Sequence, residues 1–159
     1  MAMTLNDLTV SFSHLDREAL LSDWRWLIGP DRQPILLAAL GDAYLQDAGD
    51  GTVHLLDVGG GAVEQVADTV DAFRALLADP EFVGDSFVPE LIVELRGQGK
   101  ALGPGQIYSF RHPPVLGGEY SADNLEPTDI AVHFSVLGQI HEQVKDLPPG
   151  TPIEDVVIE

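Results

Sequence analysis

The chain has 159 residues, 45% of them apolar and none of them cysteine; that suffices for one domain with a real core and excludes disulfides, thiolate metal sites and thiol nucleophiles. With 8 Lys and Arg against 26 Asp and Glu the net charge is −18, so nucleic acid and anionic membrane are poor direct partners and a basic protein is a favoured one. No run approaches the ~20 apolar residues of a membrane-spanning helix, and the N-terminus lacks the basic and apolar regions of a secretory signal, so the expected location is the cytoplasm.

In chain order, residues 1–13 read either as a frayed lead or as a short extended segment around Leu8, Val10 and Phe12, which alternate. Ser13, with Asp16 three positions on, is a variant capping box and predicts a helix from His14 to about Leu27, closed by Gly29-Pro30. Trp24 and Trp26 lie about 200° apart on such a helix, so one belongs to the core and the other is free to cover a sheet edge or to form a partner surface. Ile35 to Leu40 is a continuous apolar run of the kind found in a buried central strand. Ala43 to Gln46 and Thr52 to Asp57 flank a loop of turn residues, Asp47 to Gly51, and predict a hairpin. Gly59-Gly60-Gly61 turns into Ala62 to Val66 and completes an antiparallel meander.

A helical half follows. Asp68 or Thr69 caps a helix bearing Val70, Phe73, Leu76 and Leu77 on one face, and it ends near Asp79-Pro80. Glu81 to Asp85 predicts one further turn, and Pro89 suits the first position of a helix to about Arg96. After a Gly/Pro loop, Ile107 to Phe110 reads as a strand. The tail, 151–159, is acidic, with Ile153, Val156 and Ile158 available to dock it; the domain proper is 14–150.

The least regular stretch is Pro113 to Gly150, around which the reading is organised. Leu116-Gly117-Gly118-Glu119-Tyr120 sets two glycines beside an acid and an aromatic, so the backbone there turns or approaches something closely. Thr128 to Val132 alternates as a strand does. Ser135 then stands where a helix cap would, followed by Val136, Leu137, Ile140, Val144 and Leu147 at helical spacing and a stop at Pro148-Pro149-Gly150. The runs LGGEYSADNLE at 116–126 and DIAVHFSVLGQIHEQVKDLPPG at 129–150 resemble the C-terminal domain family of type VI secretion immunity proteins, which bind and neutralise DNase effectors. Upstream, Trp24-Arg25-Trp26-Leu27 and Leu40-Gly41-Asp42 are similar to the broader SMI1/KNR4-like immunity superfamily, so that the likeness runs from about Leu15 onward. The resemblance implies an α+β fold with a central antiparallel sheet packed with helices, and a non-enzymatic role against a toxin.

Enzyme motifs are sparse. The triple glycine lacks the Lys-Ser/Thr of a phosphate loop and opens onto a strand, and no two histidines stand four apart as in HExxH. Glu119, Asp129 and His133 could meet as a metal or acid-base site if the strand extends that far, which gives a metal-dependent hydrolase as the alternative function. The plainer expectation is that Asp129 and His133 support the Gly117-Gly118 loop by hydrogen bonds. His141 and Glu142 are read as a solvated helix face. Gly138, costing about 0.5–1 kcal/mol in a helix, suggests close packing on another backbone, with the Gly117-Gly118 turn as the candidate. The expected partner is a basic protein toxin such as a nuclease, with no cofactor, and the expected contacts are Trp24, Glu119, Tyr120, Asp123 and Glu126. A regulatory or scaffold module is the third reading.

Overall fold

The computed structural model describes residues 3–148, 151, 153 and 156–159. Its centre is a five-stranded antiparallel sheet in the order β1-β2-β3-β4-β5, formed by Thr9–Val10, Arg32–Ala38, Ala43–Asp47, Val53–Asp57 and Ala62–Ala67. The Asp47 carboxylate accepts the Gly49 amide at 2.8 Å, and Gly51 adopts φ +75°, so the predicted hairpin closes on the residues whose chemistry suits a turn. The apolar run predicted as a central strand is β2, second in the sheet; it begins earlier, at Arg32, and leaves Leu40 in the following turn.

Alternate residues of each strand feed two cores. Tyr44 and Val53 face Phe73, Phe87, Ile92 and Leu95 under α4 (Val70–Leu77), α5 (Pro80–Phe87) and α6 (Pro89–Gly97). Leu37, Ala43, Leu45 and Leu56 face Trp24, Phe134 and Leu137 on the opposite side. A sheet covered on both faces explains why Ala43, Tyr44 and Leu45 are all buried in succession. A second sheet pairs β6 (Gln106–Phe110) with β7 (Leu125–Asp129), and the Tyr108 amide ties it to the first by donating to the Ala39 carbonyl at 2.9 Å. This is the expected α+β architecture, an antiparallel meander packed with helices.

Several boundaries differ from the sequence reading. Of the two readings of the residues before 14, the extended one agrees with β1, which pairs with β2 through Thr9↔Ala38, and the short helix α1 (Leu5–Leu8) precedes it. The single helix predicted over 14–27 is instead α2 (Arg17–Leu20), a 3-10 turn at Ser22–Trp24 and α3 (Arg25–Ile28), capped by Asp16 and not by Ser13. The break turns Trp24 inward, where its indole donates to the Phe134 carbonyl at 2.9 Å. Thr69 caps α4 through the Ala72 amide, as predicted, and α5 is a full two turns where one was read.

The largest shift concerns α7, Ile130–Val144. Thr128 to Val132 is not a strand, because β7 ends at Asp129, whose carboxylate accepts the Val132 amide at 3.1 Å and caps the helix. The alternation of Thr128, Ile130 and Val132 competes with a longer helical stripe of Ile130, Phe134, Leu137 and His141, and the stripe wins because it buries more surface. Ser135 lies within the helix and donates to Asp23 Oδ2 at 2.6 Å. The helix ends at Val144, leaving Leu147 exposed; Pro149 and Gly150 of the predicted stop lie outside the described residues. Among the described residues no helix is long and apolar enough to cross a membrane.

Candidate functional site

The first part of the irregular stretch, up to Asn124, becomes a loop between β6 and β7, pinned by one residue that the sequence reading did not single out. The Asn124 side-chain amide donates to the carbonyls of His112 (2.8 Å) and Glu119 (2.7 Å), and its oxygen accepts the His112 amide at 2.9 Å. Both of its donors and its oxygen are thus directed at the loop backbone, a role open to asparagine because its amide offers donors and an acceptor. The Gly117 backbone sits at φ +103°, and a Cβ on Gly118 would fall on the His112 carbonyl oxygen, so the two glycines are dictated by the turn as expected.

Arg111, His112, Glu119, Ser121, Asp123 and Asn124 line a surface cleft of about 520 Å³ together with the two glycines. Glu119, Tyr120, Asp123 and Glu126 are all exposed, and Tyr120, at 60% exposure, packs edge-on against Phe110 with ring centroids 4.9 Å apart. Asp123 accepts from Gln98 Nε2 at 3.2 Å, and Glu126 pairs loosely with Arg111 at 3.8 Å. Three of the five predicted contact residues, Glu119, Tyr120 and Asp123, therefore share one loop, and Glu126 follows as the second residue of β7. The fifth, Trp24, lies apart: it is fully buried, with its ring stacked on Trp26 at 5.9 Å and tilted against His141 at 5.5 Å, and it is a core residue.

Beneath Tyr120 lies a polar layer assembled from four distant segments. Val58 is held from both sides: Asp42 Oδ1 accepts its amide at 3.0 Å, and His141 Nε2 meets its carbonyl at 2.9 Å. The Gly59-Gly60-Gly61 turn follows because its neighbours occupy the space that side chains would need; a Cβ on Gly59 would meet the Tyr120 hydroxyl, and one on Gly61 the His141 imidazole. Burial, with the Asp57 charge adding to it, pushes the Asp42 carboxyl up to about 7, and burial followed by Asp57 and Asp42 raises the Tyr120 hydroxyl. The assignment of His141 to a solvated face is corrected here. It is buried, and burial lowers its pKa, since Trp24 and the triple-glycine turn enclose the side of α7 that carries Phe134 and Leu137. Its spacing from those two residues was the available signal; its polarity disguised it.

The proposed Glu119, Asp129 and His133 centre is not assembled. His133 is buried, with Nδ1 at 2.6 Å from Ser109 Oγ and Nε2 at 2.8 Å from the Gly41 carbonyl, so it steadies the Gly41 turn and not the Gly117-Gly118 loop. Burial depresses it to about 4, which leaves it neutral. Asp129 faces outward beside His14 and Gln106, where it caps α7. Among the described residues no group of three His, Asp or Glu could hold a metal. Gly138 does pack on a backbone, but on that of Asp23: a Cβ there would stand 2.7 Å from the Asp23 carbonyl oxygen.

Residues 67–141 match the family model described as the T6SS immunity protein Tdi1, C-terminal. That span holds α4 to α6, the loop and most of α7, just under half of the chain. The type VI immunity likeness read from 116–126 and from the run beginning at 129 is met by this match, which ends short of 150. The fold is similar to that in the crystal structure of Atu4351 from Agrobacterium tumefaciens, with a TM-score of 0.60 and 17% identity over 79% of this chain and 65% of that one. At that identity the likeness is one of fold alone, and it agrees with the expected α+β architecture. This chain spans about two thirds of the length of that structure, and no curated protein matches it.

Proposed function

We propose that this protein is an immunity protein, which binds and neutralises a secreted toxin without catalysing a reaction. The match of residues 67–141 to a type VI secretion immunity family carries the reading, and the loop that holds the exposed acids lies inside the matched span. Glu119, Tyr120, Asp123 and Glu126 present carboxylates around an aromatic anchor. A net charge of −18 suits such a face to a basic partner, and a nuclease cleft built for phosphate is the surface it would occlude. The place of action is the cytoplasm, where a nuclease meets its substrate.

The test is to purify the toxin encoded beside the gene and titrate this protein into it, following toxin activity. Inhibition is expected, with Glu119→Ala/Tyr120→Ala weakening binding by about tenfold or more, or about 1.4 kcal/mol. Unchanged affinity in the double variant would move the interface elsewhere. Failure of the parent to bind any neighbouring gene product would end the immunity reading.

A further inference from the structure

Residues 156–159 run along the outer face of α7, held by two side-chain amides. Gln143 Nε2 donates to the Val157 carbonyl at 2.6 Å while its Oε1 accepts the Val157 amide at 2.9 Å. Gln139 repeats the pattern on Glu159, donating at 3.2 Å and accepting at 2.7 Å. Each amide thus satisfies both backbone groups of one residue, as a neighbouring strand would.

The spacings agree. Four residues of helix rise about 6 Å, and two residues of extended chain span about 6.6 Å, so glutamines at i and i+4 fall opposite every second residue of a strand. No side chain of the strap takes part in these four bonds. Val157 and Ile158 remain 63% and 45% exposed, so the attachment is to backbone and buries little apolar surface. Such a device accepts any extended segment whatever its sequence, and the charge around it decides which is preferred. Asp23, Glu142 and the strap's own Glu159 line the adjoining cleft together with the two glutamines, with no basic side chain among them. The strap therefore adds a like charge to an acidic rim, whereas a basic segment in the same backbone register would relieve it.

We propose that Gln139 and Gln143 form a binding site for an extended cationic peptide segment, kept filled in this structure by residues 157–159. The site lies on α7 and is argued independently of the loop between β6 and β7. Its occupant exchanges with the strap.

The probe is a synthetic peptide of alternating lysine and valine, titrated by fluorescence anisotropy into the full chain and into Val157→Pro, which lacks the amide that Gln143 accepts. Val157→Pro is expected to bind it about tenfold more tightly than the parent, and Gln139→Ala/Gln143→Ala in the same background to abolish that gain. A glutamate-valine counterpart, and a lysine peptide N-methylated at alternate residues, should each bind about tenfold more weakly. Indifference to N-methylation or to the glutamine substitutions would reduce the attraction to charge alone and overturn the proposal, as would equal binding by parent and Val157→Pro. Amide exchange in the parent adds a check without any variant: Val157 and Glu159 must be protected, and unprotected amides there also overturn it. Toxin neutralisation is a separate measurement, so failure of either proposal is distinguishable from failure of the other.

Discussion

At the scale of single residues, Asp42, beside Gly41 in the turn after β2, and His133, on α7 against that same turn, are perturbed in opposite senses. His133 falls to about 4 because burial penalises its cation, and Asp42 rises to about 7 because burial and Asp57 penalise its anion. For His133 the unfolded state takes up a proton below its ordinary 6.5 while the folded state does not, so stability drains away as pH falls from about 6.5 to 4. For Asp42 the folded state keeps a proton that the unfolded state has shed, so stability is lost as pH rises from about 4 to 7. Asp42→Asn keeps the acceptor for the Val58 amide and deletes that second loss. Relative to the parent it should therefore gain stability steadily between about pH 4 and 7, measured by urea unfolding at each pH. A constant difference across that window would show that Asp42 titrates normally. Gly138→Ala gains about 1 kcal/mol of helix propensity yet sets a methyl 2.7 Å from the Asp23 carbonyl oxygen. The close contact is with backbone, so the net cost should be about 1–3 kcal/mol and visible as a lower melting temperature. A variant as stable as the parent would mean that α7 slides away without penalty.

Among the elements, the joint between α5 and α6 carries the clearest local strain. Val88 ends one helix and starts the next at φ +46°, ψ +65°, a left-handed conformation that a β-branched residue before proline adopts at a cost. The residue is 37% exposed, so it is only partly packed. Val88→Gly should stabilise the protein by about 0.5–1 kcal/mol in denaturant unfolding, since relief of the strain exceeds the entropy lost by glycine. Lower stability instead would mean that the half-covered valine contributes more by packing than its backbone costs. Capping chemistry made several elements legible in the sequence: Thr69 for α4, and Asp47 with Gly51 for the hairpin. Where two periods overlap, at 128–132, local alternation says nothing about what covers each face, and the helical period prevails from Ile130. The helix read over 14–27 failed for a related reason. Its interruption at Ser22–Trp24 serves Trp24 and Asp23 contacts with α7, more than a hundred residues away.

For the molecule as a whole, the surplus of acid is a property of the surface, and its effect on partners is long-ranged. The screening length falls from about 30 Å at 0.01 M salt to about 3 Å at 1 M. Association with a basic toxin should therefore slow by about tenfold or more over that range, while dissociation changes little, as stopped-flow mixing can measure. A salt-independent association rate would remove electrostatic steering from the account. Composition, the absence of cysteine, the meander, the helical half and the glycine-rich loop could all be read along the chain, because propensity, capping and turn chemistry act between near neighbours. Which polar residues are buried could not. Trp24, His133 and His141 found their places through Phe134, Gly41 and Val58, each contact joining segments far apart in sequence. Sequence determined an acidic α+β chain with its irregular loop. Tertiary packing alone decided that the loop stands on Asn124, that the suspected metal ligands point apart, and that two glutamines grip a strap, because burial and hydrogen-bond partners are set by where distant segments meet.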